Sequence, residues 1–171
     1  MKKLLKNYSV ALALFVLTGC GFSPIYGSFS NNPKISADMN NVAIANIPEH
    51  EGQMLRNYLI DRMYHKGRPE NPTTTLEIIL KSSEISLGLQ KDATTSRQEY
   101  NLTANYTLKD KSARTLASGT ARSIVSYNKL DAQYGTLASR KNASERAVKE
   151  VSEQIINRIS LYFAEKADSR P

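Results

Sequence analysis

The sequence predicts an α+β fold, a two-layer sandwich in which two helices pack on one face of a four-stranded sheet in the order β-α-β-β-β-α. Apolar and polar residues alternate over several stretches between residues 73 and 128, as in half-buried strands. Apolar residues recur every four positions in residues 49–67 and 136–167, as along one face of a helix. The length of 171 residues fits one domain, which we expect to span residues 41–167, with a short tail at 168–171.

The first 19 residues are typical of a bacterial lipoprotein signal peptide. Three lysines precede the apolar run YSVALALFVL at residues 8–17, which is shorter than the roughly 20 residues of a bilayer span. Leu17-Thr18-Gly19-Cys20 follows, with a small residue directly before the cysteine. We therefore expect cleavage before Cys20 and acylation of Cys20 by a diacylglycerol and an N-linked acyl chain, because two chains anchor stably where one does not. The alternative is an ordinary signal peptide beside a free or buried cysteine.

Composition narrows the class of function. Cys20 is the only cysteine, so the chain has neither an internal disulfide nor a thiolate cluster for a metal. Loss of the three lysines of the signal peptide lowers the basic count from 23 to 20 against 16 acidic residues, so the formal charge falls from +7 to +4. This mild excess suits a surface near anionic lipid and does not predict a nucleic-acid partner. Gly21, in place of an aspartate after the cysteine, favours the outer membrane.

The segment after the cysteine predicts a lipidated tether over residues 20–40. Pro24, Gly27 and Pro33 interrupt a stretch rich in serine and asparagine, so no regular element is expected there. The short apolar segment NVAIANI at residues 41–47 then predicts a strand that is buried on both faces.

Two amphipathic helices are predicted. The first spans residues 49–67, with Leu55, Leu59 and Met63 in its apolar stripe. The second lies within residues 136–167 and is expected to face the sheet. Its stripe consists of Ala143, Ala147, Val151, Ile155 and Ile159. A helix lying on a membrane surface is the alternative, but its polar face mixes acidic and basic residues and is not rich in lysine.

Three strands joined by two hairpins are predicted between the helices. They cover residues 73–90, 97–110 and 113–128. In the first strand, apolar residues change from even to odd positions after Leu80, which predicts a β-bulge near Ser82 and Ser83. In the third, small residues such as Gly119 are expected to leave room for a closely packed helix. Ile79 interrupts the otherwise polar outer face of the sheet and points to a partner.

No pattern of residues points to catalysis. The glycines are scattered and form no phosphate-binding loop, and no G-x-S-x-G sequence is present. His50 and His65 are fifteen residues apart at the two ends of a predicted helix, so they are not expected to share a metal. The sequence therefore predicts neither an enzyme nor a metal or cofactor site.

The hairpin tip LGLQKDATTSR at residues 87–97 is the candidate binding surface. Lys91 and Arg97 lie beside Leu87 and Leu89. Cationic side chains next to apolar ones fit an amphiphile with phosphate head groups and acyl chains, since charge-assisted hydrogen bonds hold the phosphate. The alternative is a solvated hairpin without a ligand.

Two motifs of the sequence are GCGFSPIYG at residues 19–27 and SYNKLDAQYGTLASRKNASERAVKEVSEQIINRISLYF at residues 126–163. Together they resemble the LptE family of lipopolysaccharide-assembly lipoproteins, in its alphaproteobacterial form. The resemblance implies an outer-membrane lipoprotein that faces the periplasm and lies inside the lumen of the β-barrel LptD. There it would plug the barrel, aid its assembly and bind lipopolysaccharide (LPS). It also implies basic residues near the hairpin tip for that ligand, and Lys91 and Arg97 fit by location. The alternative is an adaptor lipoprotein of a lipid-transporting ABC system.

Overall fold

The structure, a computed structural model, describes residues 33–64, 67–87, 95–130 and 132–169. Within them the chain forms three helices and four strands, which confirms the predicted α+β class. The elements are α1 (Pro33–Asn40), β1 (Val42–Ile44), α2 (His50–Met63), β2 (Thr74–Ser86), β3 (Thr95–Asp110), β4 (Thr115–Leu130) and α3 (Gln133–Asp168). No helix in these ranges is long and apolar enough to cross a membrane.

Several sequence predictions concern residues outside these ranges. The signal peptide and Cys20 lie there, as do His65 and the tip residues Leu89 and Lys91. They remain predictions from the sequence.

The four strands form one mixed sheet in the order β1-β2-β3-β4. β1 runs parallel to β2 and pairs only with residues 74–76, whereas β2, β3 and β4 form an antiparallel meander. β1 is shorter than the strand predicted at residues 41–47. Its ladder ends where the backbone N–H of Ala45 donates to the carbonyl of Leu76 at 3.0 Å, although Ile47 beyond it is still buried.

The meander divides its side chains between two faces. One face lies against the helices and buries Tyr100, Leu102, Ala104, Tyr106, Leu108, Ala121, Val125 and Tyr127. The other face, called the open face below, is mostly polar, as predicted, and Ile79 is 65% exposed there. Asn101 is the exception on this face, since it is buried and accepts a hydrogen bond from the Arg122 guanidinium at 3.3 Å.

The predicted bulge near Ser82 and Ser83 is wrong. β2 pairs with β3 in unbroken register along its whole length. The change of apolar parity instead places Ile85 on the open face, where its side chain is 51% exposed. The bulge prediction assumed that every apolar residue of the strand is buried. Residues 81–87 are all exposed because this part of β2 lies at the edge of the sheet, beyond β1, and its odd residues face the uncovered open face. An unbroken strand therefore presents apolar side chains on either face.

α3 is the main cover of the sheet. The five stripe residues predicted from the four-residue spacing are all fully buried, which confirms the orientation of this helix. α2 packs beside it and buries Leu55, Leu59 and Met63, as predicted. An ion pair of 2.6 Å between Arg62 and Glu153 links the two helices at the surface.

Residues 33–40 form α1, where the sequence predicted an unstructured tether. Ile35 and Met39, four residues apart, are both buried. The Ser160 hydroxyl of α3 donates to the Met39 sulfur at 3.6 Å. An eight-residue helix is marginal in isolation, so α1 is stabilised by this packing. A single apolar pair is too short a pattern to distinguish such a helix from a loop.

The short link predicted between β3 and β4 is present. The Asp110 carboxylate accepts backbone hydrogen bonds from Ser112 at 2.8 Å and Arg114 at 2.9 Å. The bond from the Arg114 backbone is the main reason that the pKa of Asp110 is lowered. These bonds hold the turn, in which Ala113 adopts a left-handed φ of 61°.

Gly119 makes room for a tyrosine of the neighbouring strand. It lies opposite Tyr106 in the β3–β4 register, and a Cβ at this position would lie 2.5 Å from the Tyr106 hydroxyl oxygen. The close neighbour is therefore an aromatic ring, where the sequence predicted a helix. We expect Gly119→Ala to destabilise the fold by about 1–3 kcal/mol, since the buried ring must move. Urea unfolding measures the change.

Gly135→Ala is the control for that prediction. Its Cβ would meet only the end of the Leu130 side chain, at 2.8 Å, and that side chain is 40% exposed and free to move. Alanine is favoured over glycine in a helix by about 1 kcal/mol. The control should therefore be neutral or stabilising, and equal losses at the two positions would contradict the role given to Tyr106.

Candidate functional site

The ends of three strands and the start of α3 meet at one end of the sheet. Thr95 lies opposite Leu130 across the β3–β4 ladder, and the Leu87 backbone N–H donates to the Arg97 carbonyl at 2.9 Å. We call this region the distal end. It comprises residues 84–87, 95–98, 127–130 and 133–141. Residues 88–94, which connect β2 to β3 here, lie outside the described residues.

Thr136 fixes the start of α3 against the end of β4. Its hydroxyl accepts a hydrogen bond from the Leu130 backbone N–H at 2.9 Å and donates one to the Leu130 carbonyl at 2.8 Å. The Leu130 side chain also lies against Gly135. The first turns of α3 are therefore held beside the base of the β2–β3 hairpin.

Exposed cations gather at the distal end. Arg97 is exposed, as predicted for a side chain at the base of the hairpin, and it lies on the open face of β3. Lys129 is exposed on β4, opposite Ser96 in the ladder. Lys141 on α3 has a side chain that is 73% exposed. The sequence did not single out Lys129 and Lys141, because only the strand register and the start of α3 place them at the same end of the sheet as Arg97. Arg97 lies on the open face, whereas Lys129 lies on the helix face of β4 and Lys141 lies on α3.

Exposed apolar side chains lie among these cations. Leu87 is 48% exposed, Leu130 40%, Leu137 60% and Tyr134 85%. Tyr134, Leu137 and Lys141 line a shallow open depression along the first turns of α3. Exposed apolar groups next to cations form a surface that suits an amphiphilic anion.

A polar cluster, called the distal clamp below, holds the distal end together. It consists of Glu84, Gln98, Tyr127 and Arg140, one residue from each of β2, β3, β4 and α3. The Arg140 guanidinium donates to one Glu84 carboxylate oxygen at 2.6 Å, and the Tyr127 hydroxyl donates to the other at 2.5 Å. Gln98 lies 2.6 Å from the same hydroxyl. The contact is with the Gln98 amide oxygen, and the Gln98 NH2 group donates to the Ser86 hydroxyl at 3.4 Å.

The clamp shifts the pKa values of its three titratable residues, Glu84, Tyr127 and Arg140. Burial of the Glu84 carboxyl opposes ionisation, but the hydrogen bonds from Tyr127 and Arg140 outweigh burial and lower its pKa. Burial, followed by the hydrogen bond to Glu84, raises the pKa of Tyr127 to about 12. The hydrogen bond to Glu84 is also the main cause that raises the pKa of Arg140. The ionised carboxylate with a neutral phenol and a charged guanidinium is therefore the stable state of the clamp at neutral pH.

We expect Glu84→Gln to lower stability at pH 7 and to have a smaller effect in acid. The pKa of Glu84 is lower in the folded chain than in the unfolded chain. The clamp therefore stabilises the fold above the unfolded pKa, and this contribution is lost as the pH falls through the lower, folded pKa. The loss at pH 7 should be below about 1 kcal/mol, because both partners are partly exposed and screened by solvent. Thermal unfolding between pH 7 and pH 3 measures the effect.

Glu77→Gln is the control for the clamp. Glu77 is on the same strand and pairs with Lys109 at 2.6 Å at the other end of the sheet. If both variants changed the pH profile in the same way, the clamp would not be the source of the effect.

The structure does not test the expected separation of His50 and His65. His50 is exposed at the first position of α2, and His65 lies outside the described residues. In the part of the chain that the structure describes, no three potential ligand side chains are grouped to hold a metal ion.

Comparison with known proteins identifies a family and a shared fold. The model of the family described as LptE, lipopolysaccharide-assembly, matches residues 39–159. A lipoprotein structure from Caulobacter crescentus CB15 is similar with a TM-score of 0.64 at 19% identity, covering 80% of this chain and 98% of its own. Lipoprotein B of Nitrosomonas europaea has a TM-score of 0.56 at 19% identity, covering 72% of this chain and 83% of its own. At this identity the two structures show a common fold. None of the curated protein sequences matches the chain.

Proposed function

Because the chain belongs to the LptE family of lipopolysaccharide-assembly proteins, we propose that it is an outer-membrane lipoprotein that plugs the β-barrel translocon LptD and supports its assembly. In this proposal the acyl chains on Cys20 anchor the protein to the membrane. The domain lies in the barrel lumen and binds LPS on its way to the outer leaflet. The role is one of binding and support and requires no catalytic residue, metal or cofactor.

The distal end is the observation that carries the LPS proposal. LPS combines phosphate groups with acyl chains. The distal end presents Arg97 and Leu87 on the open face, and Lys141 beside Tyr134 and Leu137 on α3. Lys129 is exposed on the helix face of β4 at the same end. The predicted tip residue Lys91 would add a further cation at the same end. We propose that the cations engage the lipid A phosphates and that the apolar side chains contact the acyl chains.

The open face supports the proposal of a plug. The interior of an outer-membrane barrel is polar, and much of the open face consists of asparagine, threonine, serine and charged residues. The Thr120 hydroxyl, for example, donates to the Asn105 amide oxygen at 2.8 Å across neighbouring strands. Such polar groups can lie against a polar wall, and Ile79, Ile85 and Ile124 are the exposed aliphatic side chains among them.

Co-purification tests the partner. The tagged full-length chain would be extracted from outer membranes in detergent, and the proteins that remain bound would be identified by mass spectrometry. We expect one large β-barrel at equal stoichiometry. The Cys20→Ser variant, which cannot be acylated on sulfur, shows whether anchoring is needed for recovery. Recovery of the tagged chain without a partner would overturn the proposal. Recovery together with an inner-membrane ABC complex would also overturn it and would favour the adaptor role.

A further inference from the structure

One edge of the sheet is sealed by side chains of α3. The Gln154 amide accepts from the Arg122 backbone N–H at 3.2 Å and donates to the Arg122 carbonyl at 2.9 Å, as a neighbouring strand would. Further along β4, Arg146 donates to the Ser126 carbonyl at 3.5 Å, and Thr136 holds both backbone groups of Leu130. The sealed positions on β4 are four residues apart, so α3 covers this edge at regular intervals.

The described residues do not seal the opposite edge. β1 covers only residues 74–76 of β2. The Leu76 carbonyl faces β1 and the Leu87 N–H faces β3, so even-numbered residues of β2 direct their backbone groups outward and odd-numbered ones pair with β3. The outward residues beyond β1 are Ile78, Leu80, Ser82, Glu84 and Ser86, and no strand lies across from them within the described residues. An unpaired edge of this length is a template for another strand.

We propose that this free edge pairs with the same edge of a second copy of the chain, antiparallel, with a two-fold axis at Ser82. The free outward positions run from Ile78 to Ser86, and Ser82 is their midpoint. In this register each outward residue meets an outward residue of the second copy, with Ile78 opposite Ser86 and Leu80 opposite Glu84. A shift by two residues in either direction leaves outward groups unpaired or meets the part of β2 that β1 already occupies.

The exposed side chains of β2 have the same symmetry. Ile79 and Ile85 are each three residues from Ser82. Ile79 of each copy therefore lies opposite Ile85 of the other copy, and two such pairs form on the open face. These side chains are 65% and 51% exposed in the single chain, and cross-strand pairs of β-branched residues stabilise a sheet. Lys81 faces Ser83, so no like charges are directly opposed. The register that pairs the outward backbone groups of β2 therefore also pairs its exposed isoleucines.

The sealed edge limits the assembly to two copies. A contact between identical surfaces is closed by its two-fold axis, and the bonds from Gln154 and Arg146 oppose further growth at β4. The contact is small, so we expect a concentration-dependent dimer. This inference goes beyond the proposed role in the barrel and does not depend on it.

Disulfide trapping tests the register. Both variants are made in the full chain with Cys20→Ser, which removes the only native thiol. Ile79→Cys and Ile85→Cys carry tags of different size and are mixed under a mild oxidant. Opposed residues at such a position have Cα atoms about 4.5 Å apart, within the range of a disulfide, whereas two copies of Ile79→Cys would be separated by roughly 20 Å. We expect cross-linked dimers with one tag of each size, at least about tenfold more than either variant forms alone.

A further variant tests the backbone pairing, and a sedimentation measurement tests the dimer without the introduced cysteines. Ser82→Pro removes an outward N–H and leaves the ladder with β3 intact, so it should abolish the mixed cross-link while circular dichroism remains unchanged. Sedimentation of the chain with Cys20→Ser alone should show a monomer–dimer equilibrium. Monomers at all concentrations, or cross-links that do not distinguish mixed from single variants, would overturn the proposal. The proposal would also be overturned if the cysteine variants in cells formed cross-links to a different protein and none to a second copy of the chain.

Discussion

Ile155→Ala is expected to lower the free energy of unfolding by about 2–5 kcal/mol. The Ile155 side chain is fully buried in the α3 stripe. Its removal loses apolar contact and leaves a cavity, because neighbouring side chains relax only in part. A single domain is stable by only about 5–15 kcal/mol, so the variant should lose a large fraction of its stability. Urea unfolding followed by circular dichroism measures the change.

Leu161→Ala is the control on the same helix. Leu161 is 51% exposed, and truncation at a surface site changes stability by about 0.5 kcal/mol or less. The two variants remove aliphatic side chains from one helix and differ mainly in burial. A similar loss for both would mean that α3 does not present its stripe to the sheet.

The orientation of α3 could be predicted because its apolar residues repeat over many turns. Ala143, Val151 and Ile159 share one side of a helix whatever the rest of the chain does, and all are buried. The alternation along β3 is equally direct, since Tyr100 and Leu108 differ by an even number of positions and face the same way. Long periodic segments specify their own buried face.

Features that depend on neighbouring elements could not be predicted. α1 rests on two apolar residues whose burial depends on packing against other helices. The bulge near Ser82 was inferred because apolar residues were expected to be buried, but Ile85 lies on the open face of an edge strand and is exposed. Which face and which strands the helices cover is decided by tertiary packing, and the sequence of β2 alone does not encode it.

The candidate site shows the same division. Arg97 could be predicted from its place beside an apolar hairpin. Lys129, Tyr134 and Lys141 could not, because the β3–β4 register and the hydrogen bonds of Thr136 bring them to the same end. A sequence pattern predicts candidate residues within one hairpin, whereas residues from other elements are found only from the tertiary structure.

Reversing the charge of the hairpin, in Lys91→Glu/Arg97→Glu, is expected to weaken LPS binding by about tenfold or more. Each exposed ion pair contributes up to about 1 kcal/mol, and glutamate replaces that attraction by repulsion from the lipid A phosphates. A change of about 1.4 kcal/mol is a tenfold change in Kd. Equilibrium binding of purified LPS to the full chain measures the effect. The affinity of the unmodified chain should fall with added salt, and that of the variant should depend less on salt.

Lys111→Glu/Arg158→Glu carries the same change of net charge away from the distal end. Lys111 lies in the turn between β3 and β4, at the opposite end of the sheet, and Arg158 is exposed on the C-terminal half of α3. If net charge alone attracts LPS, both double variants lose affinity equally. If the distal end is the binding surface, only the first does. Unchanged affinity in a folded Lys91→Glu/Arg97→Glu variant would remove these two side chains from the proposed site and leave Lys129 and Lys141 as the cations to test next.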